Sequence, residues 1–323
     1  MIYLTLLLAA LLAQEPNTDG ARSSDYEALY RSGMTYEAFL DQAEQRRRRW
    51  AQNDAKALIP PDLLTRARST VGPFYLLAVA VDGCSDSVNT IPYLARLVAE
   101  VDGVEMRIVD SRAGREVMLS HRTPDDRPAT PTVLVLDEEF REIGAFIERP
   151  AELQQWAIGA KESLATDDYM ERKFAWYDED LGRSTVEEVV AIMEFATLAD
   201  DLEGEFEDDY DSTHRIDAST WVHGVHGTSP ARYHVMHWNA DERFAVARNG
   251  ESNAYAPGMW TRIDWMSLEE IDGISPYTWA YCLTSFEAPT FDAALSAPPA
   301  DRTAPMTGCG GHPFSRLSRV DTP

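Results

Sequence analysis

Only three cysteines occur in 323 residues, which excludes a disulfide-dense scaffold and a chain carrying several cysteine-bound zinc ions. Cationic side chains are scarce as well. Lys plus Arg number 29 against 54 Asp plus Glu, a formal net charge of −25. Binding to phosphates needs clustered Lys and Arg, so nucleic acid and anionic membrane surfaces are excluded as partners. Beyond the N-terminus no apolar run reaches the roughly 18 residues a spanning helix needs, so no integral membrane segment is expected there. What the chain does have is core material. Its 44% hydrophobic and 10% aromatic content is enough to fold, and its length suggests two domains.

The first 13 residues, MIYLTLLLAALLA, are apolar and give way to QEPNTDG. The run is too short to span a bilayer and fits the apolar region of a secretory signal cleaved after Ala13. A buried N-terminal helix is the alternative, since no Lys or Arg precedes the run. Export, to the periplasm or beyond, would put the chain where disulfides form. Residues 14–24 are polar and read as a flexible segment.

From Asp25 to Asn53 the apolar residues recur at helical spacing, with Arg46 to Arg49 read as a solvated face. A further short helix follows Pro60-Pro61. Phe74 to Val81 is continuously apolar between Gly72-Pro73 and Asp82-Gly83, the pattern of a strand buried on both faces. Val88, Ile91, Leu94 and Leu97 then mark a helix, and Val104 to Val109 a second strand. A short helix is expected over 113–121, a strand after Pro131, and a hairpin partner over Arg141 to Ile147. Helices are expected from Pro150, near 168–177, and over 184–199, the last with Ser184 and Glu187 at capping-box spacing. Strand, helix, strand, helix, hairpin and helix make an α/β domain with one mixed sheet over 25–199. Residues 200–211 hold eight acidic side chains and read as a linker. Residues 212–323, rich in Trp, Tyr and turn residues, read as a small mainly-β domain.

The stretch Asp82-Gly83-Cys84-Ser85-Asp86-Ser87 carries the chemistry. Cys84 falls between a buried strand and the helix that follows, where free N–H groups favour a thiolate. A second Cys three residues on would make a redox dithiol. Ser87 stands there instead, able to donate a hydrogen bond but not to close a disulfide. Thr130-Pro131 opens the third strand, and a cis bond at Pro131 would bend that loop towards Cys84.

These features, with the stretches DGCSDSVNTIPYLARL, VEMRIVD and ATPTVLVLDEEFREIGAF, resemble the thioredoxin-like superfamily. The nearest likeness is a bacterial group with a long N-terminal helix and a D-W-C-G-D-C motif. The resemblance implies that Cys84 is the nucleophile, Ser87 the position of the resolving Cys, and Pro131 the cis-proline. Gly83 replaces the usual Trp. No cofactor and no metal are implied.

Cys282 and Cys309 both lie in the C-terminal region and are expected to pair, contributing about 3.5 kcal/mol on the chain-entropy model. Cys84 is then the odd thiol, either reactive or an inert relic packed like a small hydrophobe. The stretches THRIDASTW, WAYCLTSFEA and TGCGG resemble a small domain recurring on secreted proteins and lipoproteins of myxobacteria and relatives, and that resemblance supports the same bridge. His223 and His226, like His234 and His237, are three apart. On strands that spacing sends the two side chains to opposite faces, so these pairs are not expected to bind metal. Two functions stay open. One is binding of client or envelope proteins with attenuated or absent redox activity. The other is monothiol disulfide exchange or isomerisation with Cys84 as nucleophile.

Overall fold

The computed structural model describes residues 18–268 and 276–320. The expected export segment, Met1–Ala13, lies outside the described residues. Residues 14–17 of the polar segment also lie outside them, and the rest, 18–24, falls in helix α1, Thr18–Ser32, so that part of the stretch expected to be flexible is helical. Two short helices follow, α2 (Tyr36–Gln42) and α3 (Arg47–Lys56), then α4 (Pro61–Ser69). The α/β succession comes next as β1 (Phe74–Val79), α5 (Ser87–Glu100), β2 (Val104–Val109), α6 (Arg115–Ser120), β3 (Thr132–Leu136) and β4 (Glu142–Ile147). Helices α7 (Ala151–Ser163), α8 (Thr166–Asp180), α9 (Arg183–Phe195) and α10 (Ala199–Leu202) complete the domain.

The sheet runs β2-β1-β3-β4, with β1 parallel to β2 and antiparallel to β3. Its central strands are buried because alternate side chains feed two cores. Leu76, Ala78, Val133 and Val135 join one cluster with α3, α4, α5 and α9. Leu77, Val79, Leu134 and Leu136 join the other with Tyr26 and Tyr30 of α1 and Val117 of α6. Period-2 alternation with apolar residues at every position therefore gives three layers.

The remaining strands are β5 (Gly204–Asp208), β6 (Thr213–Ile216), β7 (Thr220–Gly224), β8 (Ala231–Asn239), β9 (Phe244–Asn249), β10 (Trp260–Ser267), β11 (Trp279–Ala288) and β12 (Ser315–Arg319), with helix α11 (Phe291–Leu295) between the last two. They form a closed antiparallel barrel in the order β10-β11-β12-β5-β6-β7-β8-β9. The mainly-β expectation holds, and closure is the added finding. Phe206, Trp221, Trp238, Trp265 and Trp279 are buried, which leaves these aromatics to the core and not to an exposed binding face. The Cys282–Cys309 disulfide is present and ties β11 to the loop before β12.

Three expectations change. The acidic stretch 200–211 holds the end of α10 and the barrel strand β5 instead of a linker. Along β5, Phe206 and Asp208 point inward while Glu205 and Glu207 face solvent, so charge on one face hid a strand. Ser184 is not a capping residue: α9 starts after Gly182, and the Ser184 hydroxyl bonds the Asp180 carboxylate at 2.5 Å. The arginines of 46–49 are not simply a solvated face. Arg46 reaches the Gly83 carbonyl at 2.7 Å, and Arg49 bonds Asn89 and Asp178.

The two domains share a core through α9, which packs on both β4 and β8. The rings of Phe195 and Trp238 lie 4.8 Å apart. Glu194 anchors the junction. Its carboxylate accepts from Arg66 of α4 and from His237 and the Trp238 N–H of β8, at 2.8–2.9 Å. Those partners hold the buried carboxyl below its usual range against the opposing effect of burial.

Candidate functional site around Cys84

The turn between β1 and α5 is clamped by the N-terminal helices. Asp82 accepts from the N–H groups of Glu44 and Gln45, both at 2.8 Å, and those bonds, Gln45 first, hold its carboxyl below the usual range. The Trp50 indole donates to the Asp82 carbonyl at 3.0 Å. At Gly83 a Cβ would lie 2.5 Å from the Gln45 side-chain oxygen. The Gln45 carboxamide thus occupies the space that a large side chain at 83 would use.

Cys84 is half-buried and carries a free thiol. Its Sγ lies 3.1 Å from the Thr130 carbonyl, and the Thr130-Pro131 bond is cis. The structure thus brings together Cys84, Ser87 and Pro131. One detail differs from expectation. The group of Ser87 that reaches sulfur is its backbone N–H, at 3.4 Å, whereas its fully buried hydroxyl accepts from the Val81 N–H.

Beneath the thiol lies a buried charge network that sequence reasoning missed. Asp86, 4% exposed, accepts from Lys173 at 2.9 Å, Tyr177 at 2.9 Å and Arg149 at 3.4 Å. Lys173 also donates to the Ser85 hydroxyl at 2.8 Å. Arg149 pairs with Glu148, which pairs onward with Arg127 at 3.0 Å. Burial, then the Asp86 charge, pushes the Tyr177 hydroxyl well above the usual phenol range, so it stays a donor. Two cations and a hydrogen-bonded phenol around Asp86 fix the second residue after Cys84, and with it the start of α5. The sequence signal was weak: Lys173 and Tyr177 are four apart on α8, hence on one helix face, but nothing in the spacing says which loop that face meets.

A second polar cluster lies inside the barrel, where Asp208, His214 and His223 bring donor atoms within 4.8 Å of one another. An indole N–H can only donate, so the Trp221 contact at 3.0 Å makes His214 Nδ1 an acceptor. The His214 proton is then on Nε2, facing Asp208 at 3.2 Å. A cation there would have to displace that proton; as it stands Trp221, His214 and Asp208 form a hydrogen-bonded chain, with the His223 ring stacked on His214. The His pairs noted in the sequence separate: His223 stacks on His214, His234 meets Gln155 and His237 meets Glu194.

Residues 33–167 match a thioredoxin family model, so the α/β domain is thioredoxin-like. Two solved structures are similar over 53% of this chain and 98% of their own. One is a Pseudomonas aeruginosa protein of unknown function, at 23% identity and a TM-score of 0.44. The other is an HIV epitope scaffold, at 24% identity and a TM-score of 0.43. No curated protein matches the sequence.

Proposed function

We propose that this chain is an exported thioredoxin-like protein that binds client or envelope proteins, its redox activity reduced to slow one-thiol exchange at Cys84. The observation that carries the reading is the pairing of Cys84 Sγ with both the Ser87 N–H and the Thr130 carbonyl. The N–H and the start of α5 favour a sulfur anion. The carbonyl accepts the thiol proton and would repel that anion, so the two contacts oppose each other. The Cys282–Cys309 bridge supports an oxidising compartment.

In the exchange, the Cys84 thiolate attacks one sulfur of a client disulfide. A Cys84–client S–S bond forms, and the other client sulfur leaves as a thiolate that takes a proton from water. Ser87 offers no second thiol, so release needs an external thiol to attack the mixed disulfide and return Cys84 as a thiolate. Ser87 and Pro131 position the sulfur and do not react.

Mass spectrometry of the protein incubated with glutathione disulfide tests this. A single adduct on Cys84 is expected, forming roughly tenfold more slowly than on free cysteine. The adduct is lost in Cys84→Ala, and Ser87→Cys is expected to replace it with an internal disulfide. No adduct under conditions that consume free cysteine would sink the exchange step; an adduct forming as fast as on free cysteine would sink the attenuation.

A further inference from the structure

Between the domains runs a cleft of about 1230 Å³, larger than the roughly 300–1,000 Å³ of small-ligand pockets. Three observations converge on it, and none involves the Cys84 sulfur.

The first is a strand edge. All six residues of β4 line the cleft, and β4 ends its sheet, so its outer main-chain groups have no neighbouring strand among the described residues. Such an edge is a template for one more strand. The second is Gln154 of α7, which lines the same cleft. It is 5% exposed, yet neither its amide nitrogen nor its amide oxygen has a partner among the described residues. A carboxamide presents one donor and one acceptor side by side, the complement of a peptide group. Buried polar groups left this way call for a partner.

The third is local charge. Arg149, 6% exposed, lines the cleft and leaves its Nε hydrogen without a partner among the described residues, while Asp86 and Glu148 balance its charge and Tyr169 accepts from its Nη1. Across the cleft, Arg232 of β8 is exposed and forms no ion pair among the described residues. Glu188, beside them, is pushed up to about 8 by burial, so it adds little negative charge at neutral pH. Arg232 is therefore the cation left unbalanced at the Gln154 end of the cleft, in a chain of net charge −25. The far end is lined by Asp200, Glu203 and Asp217.

We propose that this cleft binds an extended peptide segment of a partner protein, which adds a strand to β4, pairs a peptide group with Gln154, accepts the Arg149 Nε hydrogen and sets an acidic side chain against Arg232. The site is separate from the thiol, so Cys84→Ser protein retains it.

A fluorescein-labelled Thr-Val repeat peptide with two Glu at one end or the other is the probe, followed by anisotropy on the full chain. The same peptides with Lys in place of Glu are the controls. One Glu peptide is expected to bind about tenfold tighter than its Lys counterpart, with the difference shrinking as salt rises. Arg232→Glu, at an exposed position on the outer barrel wall, is expected to reverse that preference. Gln154→Met is expected to weaken binding about fivefold, and the bound peptide to slow amide exchange along 143–147. Equal affinity for the Glu and Lys peptides, absence of binding, or slowed exchange confined to residues outside β4 would each overturn the proposal. Persistence of binding in Cys84→Ser separates it from the reading of the thiol.

Discussion

The α/β domain and the barrel both bury polar groups, and they build those groups in different ways. Around Cys84 the network joins Asp86, Arg149, Lys173 and Tyr177, drawn from the turn before α5, the turn after β4, and α8. In the barrel, partners sit on neighbouring strands or on one strand: Asp208 with His214 and Trp221, or Asp264 with Arg262 and Thr284. Strand register delivers these barrel contacts, because cross-strand neighbours are about 5 Å apart, and Arg302 from the loop before β12 adds one more to Asp264. The network at the thiol exists only if separate helices dock correctly. The first domain thus holds a site assembled by packing. The second is a shell whose polar interior follows from its own pairing, closed by a disulfide.

The strongest way to break this contrast is at the joint. Glu194→Ala leaves the half-buried Arg66 without its main carboxylate and removes the acceptor of His237 and the Trp238 N–H, at a cost of about 3 kcal/mol. Urea unfolding followed by Trp fluorescence and far-UV circular dichroism should show both regions losing stability together. A loss confined to one region would mean that the joint does not couple them.

Next is the bridge. Replacing Cys282 and Cys309 with Ser should lower barrel stability by about 3.5 kcal/mol while leaving Cys84 adduct formation unchanged. Calorimetry with an unshifted barrel transition would contradict this.

Acid and base should separate the regions by sign. Burial pushes His214 down to about 4, and the neighbouring His223 adds to that. Between its ordinary value near 6.5 and about 4 the unfolded chain binds a proton that the folded chain does not. Stability therefore falls as pH drops through that window, by about 3 kcal/mol. His234, also lowered to about 4 mainly by burial, acts in the same direction. Glu188 does the reverse: raised to about 8 by burial, it stays protonated in the folded chain after the unfolded chain has lost its proton. Its contribution is lost as pH rises from about 4.5 to 8. His214→Gln should flatten the acid slope, and Glu188→Gln the alkaline one. Unchanged slopes in stability-versus-pH curves would refute the assignments.

The smallest effect sharpens the contrast. Thr35 caps α2 and Thr290 caps α11, each accepting a backbone N–H at 3.2 Å. Changing either to Ala should cost about 1 kcal/mol. If the regions unfold as one unit, both variants shift the same transition; separate shifts would show two units.

Much of the α/β domain could be read from residue order. β1, and β3 after Thr132, read as continuous apolar runs because both faces are covered, and Val104–Val109 coincides with β2. Barrel closure was not readable, since alternating inward and outward residues describe a strand and say nothing about which strand it finally pairs with. That is why β5, with Glu205 and Glu207 outward, read as a charged linker. Ser184 misled because a capping-box spacing occurs wherever Ser and Glu stand three apart, while the local turn at Gly182, in the left-handed region at φ 75°, decided where α9 begins.

The candidate site divides along the same line. Cys84 at a strand-to-helix turn, Ser87 one helical turn on, and Pro131 at a strand start are local facts of chain order, so the sequence by itself determined them. Also determined there were the negative charge, the pairing of Cys282 with Cys309, and the two fold classes. Only the tertiary structure decided that Lys173, Tyr177 and Arg149 surround Asp86, that the Ser87 main chain and not its hydroxyl meets the sulfur, and that a strand edge and a Gln154 side chain, both without partners among the described residues, share one cleft with Arg149 and Arg232. Periodicity reports which face of an element is buried. It does not report what that face is buried against, because that depends on contacts between residues far apart in the chain.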